Sequence, residues 1–288
     1  RLFSAAGDNT IGVWDLETGT LEARLPGHED SVRSLLCLKD GKTLLSSSDD
    51  TTIRMWDLDT KKTTKVLRGH DMKVRSLQLA PDESWFVSAS KDGTLKIWDL
   101  PAGEERKRLS QHGVWVGDNQ GYLSVSMRPD GKAFATSAFD RTIRLWSTDG
   151  FGVAEKVGPH ASDVGVLAFT CDGSSLLYDY DGGRVRVLDG DATRERFELV
   201  GHDDWVYSIV CAPNVPVVAT GSQDWTIRLW DQETGEPLAV LLGHEYTVGA
   251  LAFTEDAKLL VSGAGDETVR VWDVSRFTAT KGAAGAAD

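Results

Sequence analysis

The residues best equipped for chemistry in this chain are a histidine, a serine or threonine and an aspartate, and they come as a set. His28 is followed by Ser46 and Asp50, His70 by Ser88 and Asp92, and His112 by Thr136 and Asp140. Further on, His202 is followed by Thr220 and Asp224, and His244 by Ser262 and Asp266. Any one set has the ingredients of a Ser-His-Asp hydrolase. Two features argue otherwise. A nucleophile site is built once, whereas this set recurs. Each aspartate is also followed, six residues on, by a tryptophan: Trp56, Trp98, Trp146, Trp230 and Trp272. Imidazole, hydroxyl and indole N–H groups are the donors that a buried carboxylate needs. The four residue types therefore read as structural tetrads. Asp92 is expected to be nearly buried and bonded to His70 and Ser88. With all six histidines assigned to such networks, none is left as a general base or metal ligand. No Gly-rich phosphate loop and no metal-type cysteine pair occurs. No cofactor, metal or catalytic residue is expected.

The elements that position these residues follow from their period. Trp14, Trp56, Trp98, Trp146, Leu188, Trp230 and Trp272 are spaced by 42, 42, 48, 42, 42 and 42 residues, which makes seven repeats. Repeat 1 keeps Ser4, Asp8 and Trp14 without a histidine; repeat 5 keeps His160 but has Tyr178, Gly182 and Leu188 at the other three positions. Within a repeat, SVRSLLCL alternates as a strand, KDGK is a hairpin turn, and TLLSSS, TIRMWD and TTKVLRG supply three more strands. No segment sustains a helical period with caps. An internal repeat of about 40 to 45 residues with Gly-His at one end and Trp-Asp at the other resembles the WD-repeat family of β-propellers. The resemblance covers nearly the whole chain, from GHEDSVRSLLCLKDGKTLLSSSDDTTIRMWDL to GHEYTVGALAFTEDAKLLVSGAGDETVRVWDV. It implies an all-β, seven-bladed propeller over residues 1–280, followed by a flexible tail over 281–288. Blade 1 is expected to lack its innermost strand and blade 7 its outermost. In this family an N-terminal segment commonly completes the last blade, so the chain reads as part of a longer protein.

Bulk properties narrow the partners. The net charge of −13 over 288 residues disfavours nucleic acid and anionic membrane. No apolar run reaches the length of a membrane span. Cys37, Cys171 and Cys211 are sparse, and Cys37 and Cys211 fall at one equivalent core position in different blades. Those two are not expected to pair with each other, and each reads as a small buried hydrophobe in an intracellular, cytoplasmic protein.

With catalysis set aside, function should lie on a surface. The family resemblance points to the face carrying the D–A and B–C loops, where residues three and five after each histidine, and the residue before each tetrad aspartate, turn toward the central channel. Blades 2 and 3 then contribute Arg33, Lys73, Arg75 and Lys91, a basic cluster in an acidic protein, with Asp49 as a counter-ion. Blades 4 and 6 contribute Leu123, Phe139, Trp205 and Tyr207, with Trp115 and Trp225 at the rim. Trp, Tyr and Arg are the types enriched at interface hot spots. The expected function is a non-catalytic binding scaffold or sensor domain. Its partners would be a protein or peptide with acidic or phosphorylated and aromatic groups, and other domains of the same longer chain. The alternatives are an architectural subunit held through the propeller sides and an enzyme module with a site in the channel.

Overall fold

The computed structural model describes residues 1–110, 124–138 and 140–278. They form seven antiparallel sheets in chain order, four-stranded in blades 2 to 6 and three-stranded in blades 1 and 7. Blade 2 shows the pattern: strand A is Val32–Cys37, B is Thr43–Ser48, C is Ile53–Asp57 and D is Lys62–Leu67. Blade 1 holds strands B, C and D, starting at Leu2–Ala5, and blade 7 holds A, B and C, ending at Val269–Asp273. A single helical turn, Ser275–Thr278, follows, and Thr278 donates its hydroxyl to the Ala257 carbonyl at 2.8 Å.

The core lies between blades. Ile53, Met55 and Leu67 of blade 2 pack against Val74, Leu77, Phe86 and Trp98 of blade 3. Trp56 in turn covers Ile11, Val13 and Leu25 of blade 1. Strand alternation explains this, because residues two apart share a sheet face. Burying one such indole contributes roughly 4–6 kcal/mol of transfer free energy. The seam after blade 7 differs. Ile227 and Leu229 of blade 6 are fully buried against blade 7, whereas the matching Val269 and Val271 are exposed.

The cysteines depart from expectation. Cys37 is exposed. It is the last residue of strand A, beside the A–B turn. Cys37 and Cys211 do not pair with each other, but the sulfurs of Cys171 and Cys211 are in bonding contact, with Cα atoms 5.7 Å apart, and so cross-link blades 5 and 6. Residue 171 lies in the A–B turn of blade 5, where the 42-residue spacing predicts no core position.

Candidate functional site: the loop face of the ring

The tetrads fix this face. In blade 3, His70 Nδ1 lies 2.9 Å from Asp92 and Nε2 lies 2.7 Å from the Ser88 hydroxyl, which accepts the Trp98 indole N–H at 2.8 Å. Blades 2, 6 and 7 repeat this, with His–Asp and His–hydroxyl distances of 2.7 Å each. Asp92 does not touch Ser88 directly; the imidazole bridges them. Three further donors complete the carboxylate: the amide of Asp71 and the amide and hydroxyl of Thr94. That threonine recurs two residues after every tetrad aspartate as Thr10, Thr52, Thr94, Thr142, Thr226 and Thr268. Its sequence signal was as regular as that of the tryptophans. Burial opposes ionisation of Asp50, but the Thr52 hydroxyl, the Glu29 amide and His28 outweigh it and hold its pKa at about 2.

The Ser–His–Asp connectivity is that of a hydrolase, but the chemistry is closed. Ser46, Ser88 and Thr220 are 0% exposed. Each hydroxyl is also committed to an indole. A substrate carbonyl cannot reach a nucleophile so placed.

In blade 1, Arg24 pairs with Asp8, and Trp14 donates to Ser4 at 2.8 Å. In blade 4, Arg144 reaches Asp140 at 3.0 Å and Trp146 donates to Thr136 at 2.9 Å; His112 lies outside the described residues. His160 belongs to no tetrad, contrary to expectation. No aspartate stands at position 182, and its buried Nε2 has no hydrogen-bond partner beside Tyr178.

The rim is built by bulges. The A–B ladder shifts register between Val32 and Ser34, Val74 and Ser76, Val206 and Ser208, and Val248 and Ala250. The extra residues are Arg33, Arg75, Tyr207 and Gly249. A bulge re-aims a side chain out of the alternating pattern. Beside them, the amides of Asp49, Lys91 and Gln223 bond the carbonyls of Ser31, Lys73 and Trp205 at 2.8–2.9 Å, setting the two rim positions side by side.

Blades 2 and 3 thus bring four cations around one buried carboxylate. Arg33 Nε lies 2.9 Å from Asp49 and its Nη2 makes a second, shorter contact. Lys73 Nζ lies 2.9 Å away and Arg75 Nε 3.8 Å. Burial resists ionisation of Asp49, but the bonds from Arg33 and Lys73 prevail and lower its pKa. Burial also lowers the pKa of Lys91, reinforced by Arg75 and Lys73 and opposed by Asp49.

Blade 6 supplies the aromatic part. The Tyr207 hydroxyl donates to Gln223 at 3.1 Å, and Trp205 is half-buried beside it. Trp225 is 51% exposed with φ of +70°. Every B–C turn has a positive φ at this position, filled elsewhere by Asn9, Thr51, Gly93, Arg141, Gly183 and Glu267. A bulky side chain is uncommon in that conformation. Trp115, Leu123 and Phe139 lie outside the described residues.

Among the described residues no helix is long and apolar enough to cross a membrane, and no three His, Cys, Asp or Glu groups cluster to hold a metal. The family model for the WD domain, G-beta repeat matches residues 19–57, 61–99, 103–147, 193–231 and 235–273. The chain is 29% identical over 121 residues to the WD40 repeat protein poxJ of Penicillium oxalicum, covering 40% of this chain and 35% of that protein. It is 35% identical over 107 residues to WD repeat-containing protein 90 of Xenopus tropicalis, covering 36% and 6%. To human Coronin-7 it is 32% identical over 111 residues, covering 36% and 12%. The aligned part spans about a third or less of these relatives.

Proposed function

Because the chain belongs to the WD-repeat family of β-propellers, whose members are typically protein-interaction scaffolds, we propose that it is a non-catalytic recognition or sensor module that binds a protein or peptide on its loop face. One observation carries this reading. Arg33, Lys73, Arg75 and Lys91 gather round Asp49 on the same rim that carries Trp205, Tyr207 and the exposed Trp225. None of these residues is needed by a tetrad. The ligand is of mixed character. An acidic or phosphorylated group meets the basic side, where arginine can make bidentate charge-assisted bonds. An apolar or aromatic anchor meets blade 6. Nucleic acid and anionic membrane are disfavoured by the net charge of −13.

The test is a titration against the cellular partner with Trp205→Ala, Arg75→Ala and Lys132→Ala, the last in the A–B turn on the opposite face. Each of the first two should weaken binding by about 2 kcal/mol or more. The arginine effect should be larger at low salt, because salt screens exposed charges. Normal binding by both, with loss in Lys132→Ala, would place the site on the other face.

A further inference from the structure

Blades 1 to 6 each end in an outer strand D whose far edge has no strand partner among the described residues. Such edges are templates for unwanted pairing, and charged side chains are one common protection. Five of these strands have it: LEARL, KTTKVL, EERKRL, VAEKV and ERFEL each hold two or more charged residues. Strand D of blade 6, Pro237–Leu241, reads PLAVL and holds none.

Its two faces differ. Ala239 and Leu241 pack into the core shared with blade 7. Leu238, Val240 and the following Leu242 turn the other way and are 37%, 44% and 71% exposed. Pro237 has no N–H and stands at the first residue, so it leaves the edge from Leu238 onward able to pair.

The charges around the strand select the occupant. From residue 229 to 257 the chain contains no Lys or Arg. Exposed Glu233 and Glu236 precede the strand and Glu245 follows it. A second copy would bring the same carboxylates and another net charge of −13. A helix would cover the aliphatic side chains but leave the backbone edge unpaired. We propose that strand D of blade 6 binds an extended segment of a partner protein, aliphatic at alternate residues and flanked by Lys or Arg, which adds to the blade as a fifth strand. Main-chain bonds would give affinity and the alternate side chains specificity. This surface is separate from the loop face, and neither reading depends on the other.

The probe is the synthetic peptide KKTVTVTVKK, titrated onto the whole chain, with hydrogen exchange followed in the complex. Residues 238–242 should gain protection. Val240→Lys, at an exposed position, should keep the melting temperature and weaken binding at least tenfold, as should Leu238→Lys. Ala154→Lys, on strand D of blade 4, should leave binding unchanged. A peptide with glutamates at both ends should bind at least tenfold more weakly. Protection elsewhere, equal binding by Val240→Lys and Leu238→Lys, or protection of residues 238–242 by self-association in sedimentation would each overturn the proposal.

Discussion

In blade 3 the carboxylate of Asp92 gathers four donors, from His70, Asp71 and both the amide and hydroxyl of Thr94. In blade 5 a buried carboxylate stands three residues earlier in the repeat. Asp179 accepts the amides of Gly165 and Val166, at 2.7 and 2.8 Å. Other blades fill that position with Ala5, Ser47, Ala89, Ser137, Gly221 or Gly263. The consequence is local: those two amides are taken out of the ladder, and strand A shrinks to Leu167–Phe169. The two blades carry the same sheet order. A propeller blade therefore tolerates loss of its tetrad when neighbouring blades pack on both faces: blade 4 against Leu176, Tyr178 and Leu188, and blade 6 against Leu177, Val185 and Val187. The tetrad's role is to fix the loop face, and blade 5 is where that face is least constrained.

The largest effect should come from removing Asp92. Asp92→Ala strands the imidazole, two amides and a hydroxyl, at about 1–3 kcal/mol per unsatisfied group. Chemical denaturation should show a fall of several kcal/mol. Asp57→Ala is the control, because Asp57 follows the tryptophan and only caps the exposed turn at Thr60. Equal losses in the two variants would break the distinction between network and turn.

The two carboxylates should also respond to pH in opposite directions. At Asp92, burial is outweighed by His70 and Thr94 and the pKa is lowered, so its stabilisation is present above pH 3.8 and fades as pH falls toward its folded value. At Asp179, burial dominates the two amide bonds and raises the pKa to about 7. Its neutral form suits the folded state, so its contribution is full below pH 3.8 and lost as pH rises through about 7. That displacement corresponds to on the order of 2–4 kcal/mol. Melting of wild type and Asp179→Ser at pH 5 and pH 8 checks it. The variant should gain on wild type at the higher pH. A difference that does not move with pH would remove the titration from Asp179.

The ring, its seven repeats and the short blades at each end were legible because a 42-residue period leaves little choice of register. The tetrads were legible for the same reason, since hydrogen-bonding types recurred at locked offsets. What escaped lay where one blade departs from the rest. Arg24 pairs with the tetrad Asp8 through a cross-strand approach that spacing does not show. The Cys171–Cys211 contact joins two turns that come together only when blades 5 and 6 are in place. The assignment of His160 to a tetrad failed because a histidine was matched without its acceptor. The bulges that aim Arg33 and Tyr207 at the rim depend on backbone pairing rather than on residue type. The outer strands, scanned singly, looked alike; only their comparison shows blade 6 to be uncharged.

The smallest effect tests whether blade 5 merely lacks one residue. Gly182→Asp would restore the missing acceptor opposite His160. The backbone argues against recovery. In intact blades one residue of the B–C turn has positive φ, the one after the aspartate. In blade 5 three successive residues do, Asp181 at 49°, Gly182 at 66° and Gly183 at 104°. An added Cβ at Gly182 meets no atom, so space is not the obstacle. The left-handed conformation is, at a cost of roughly 1–2 kcal/mol. Tyr178 also occupies the hydroxyl position, its ring 5.1 Å from that of His160. The variant should therefore lose about 1 kcal/mol and leave the His160 ring signals and their titration unchanged by NMR. A His160 that instead acquires a raised pKa, with stability gained, would show that the turn can return to the common conformation and that blade 5 is one substitution from a working network.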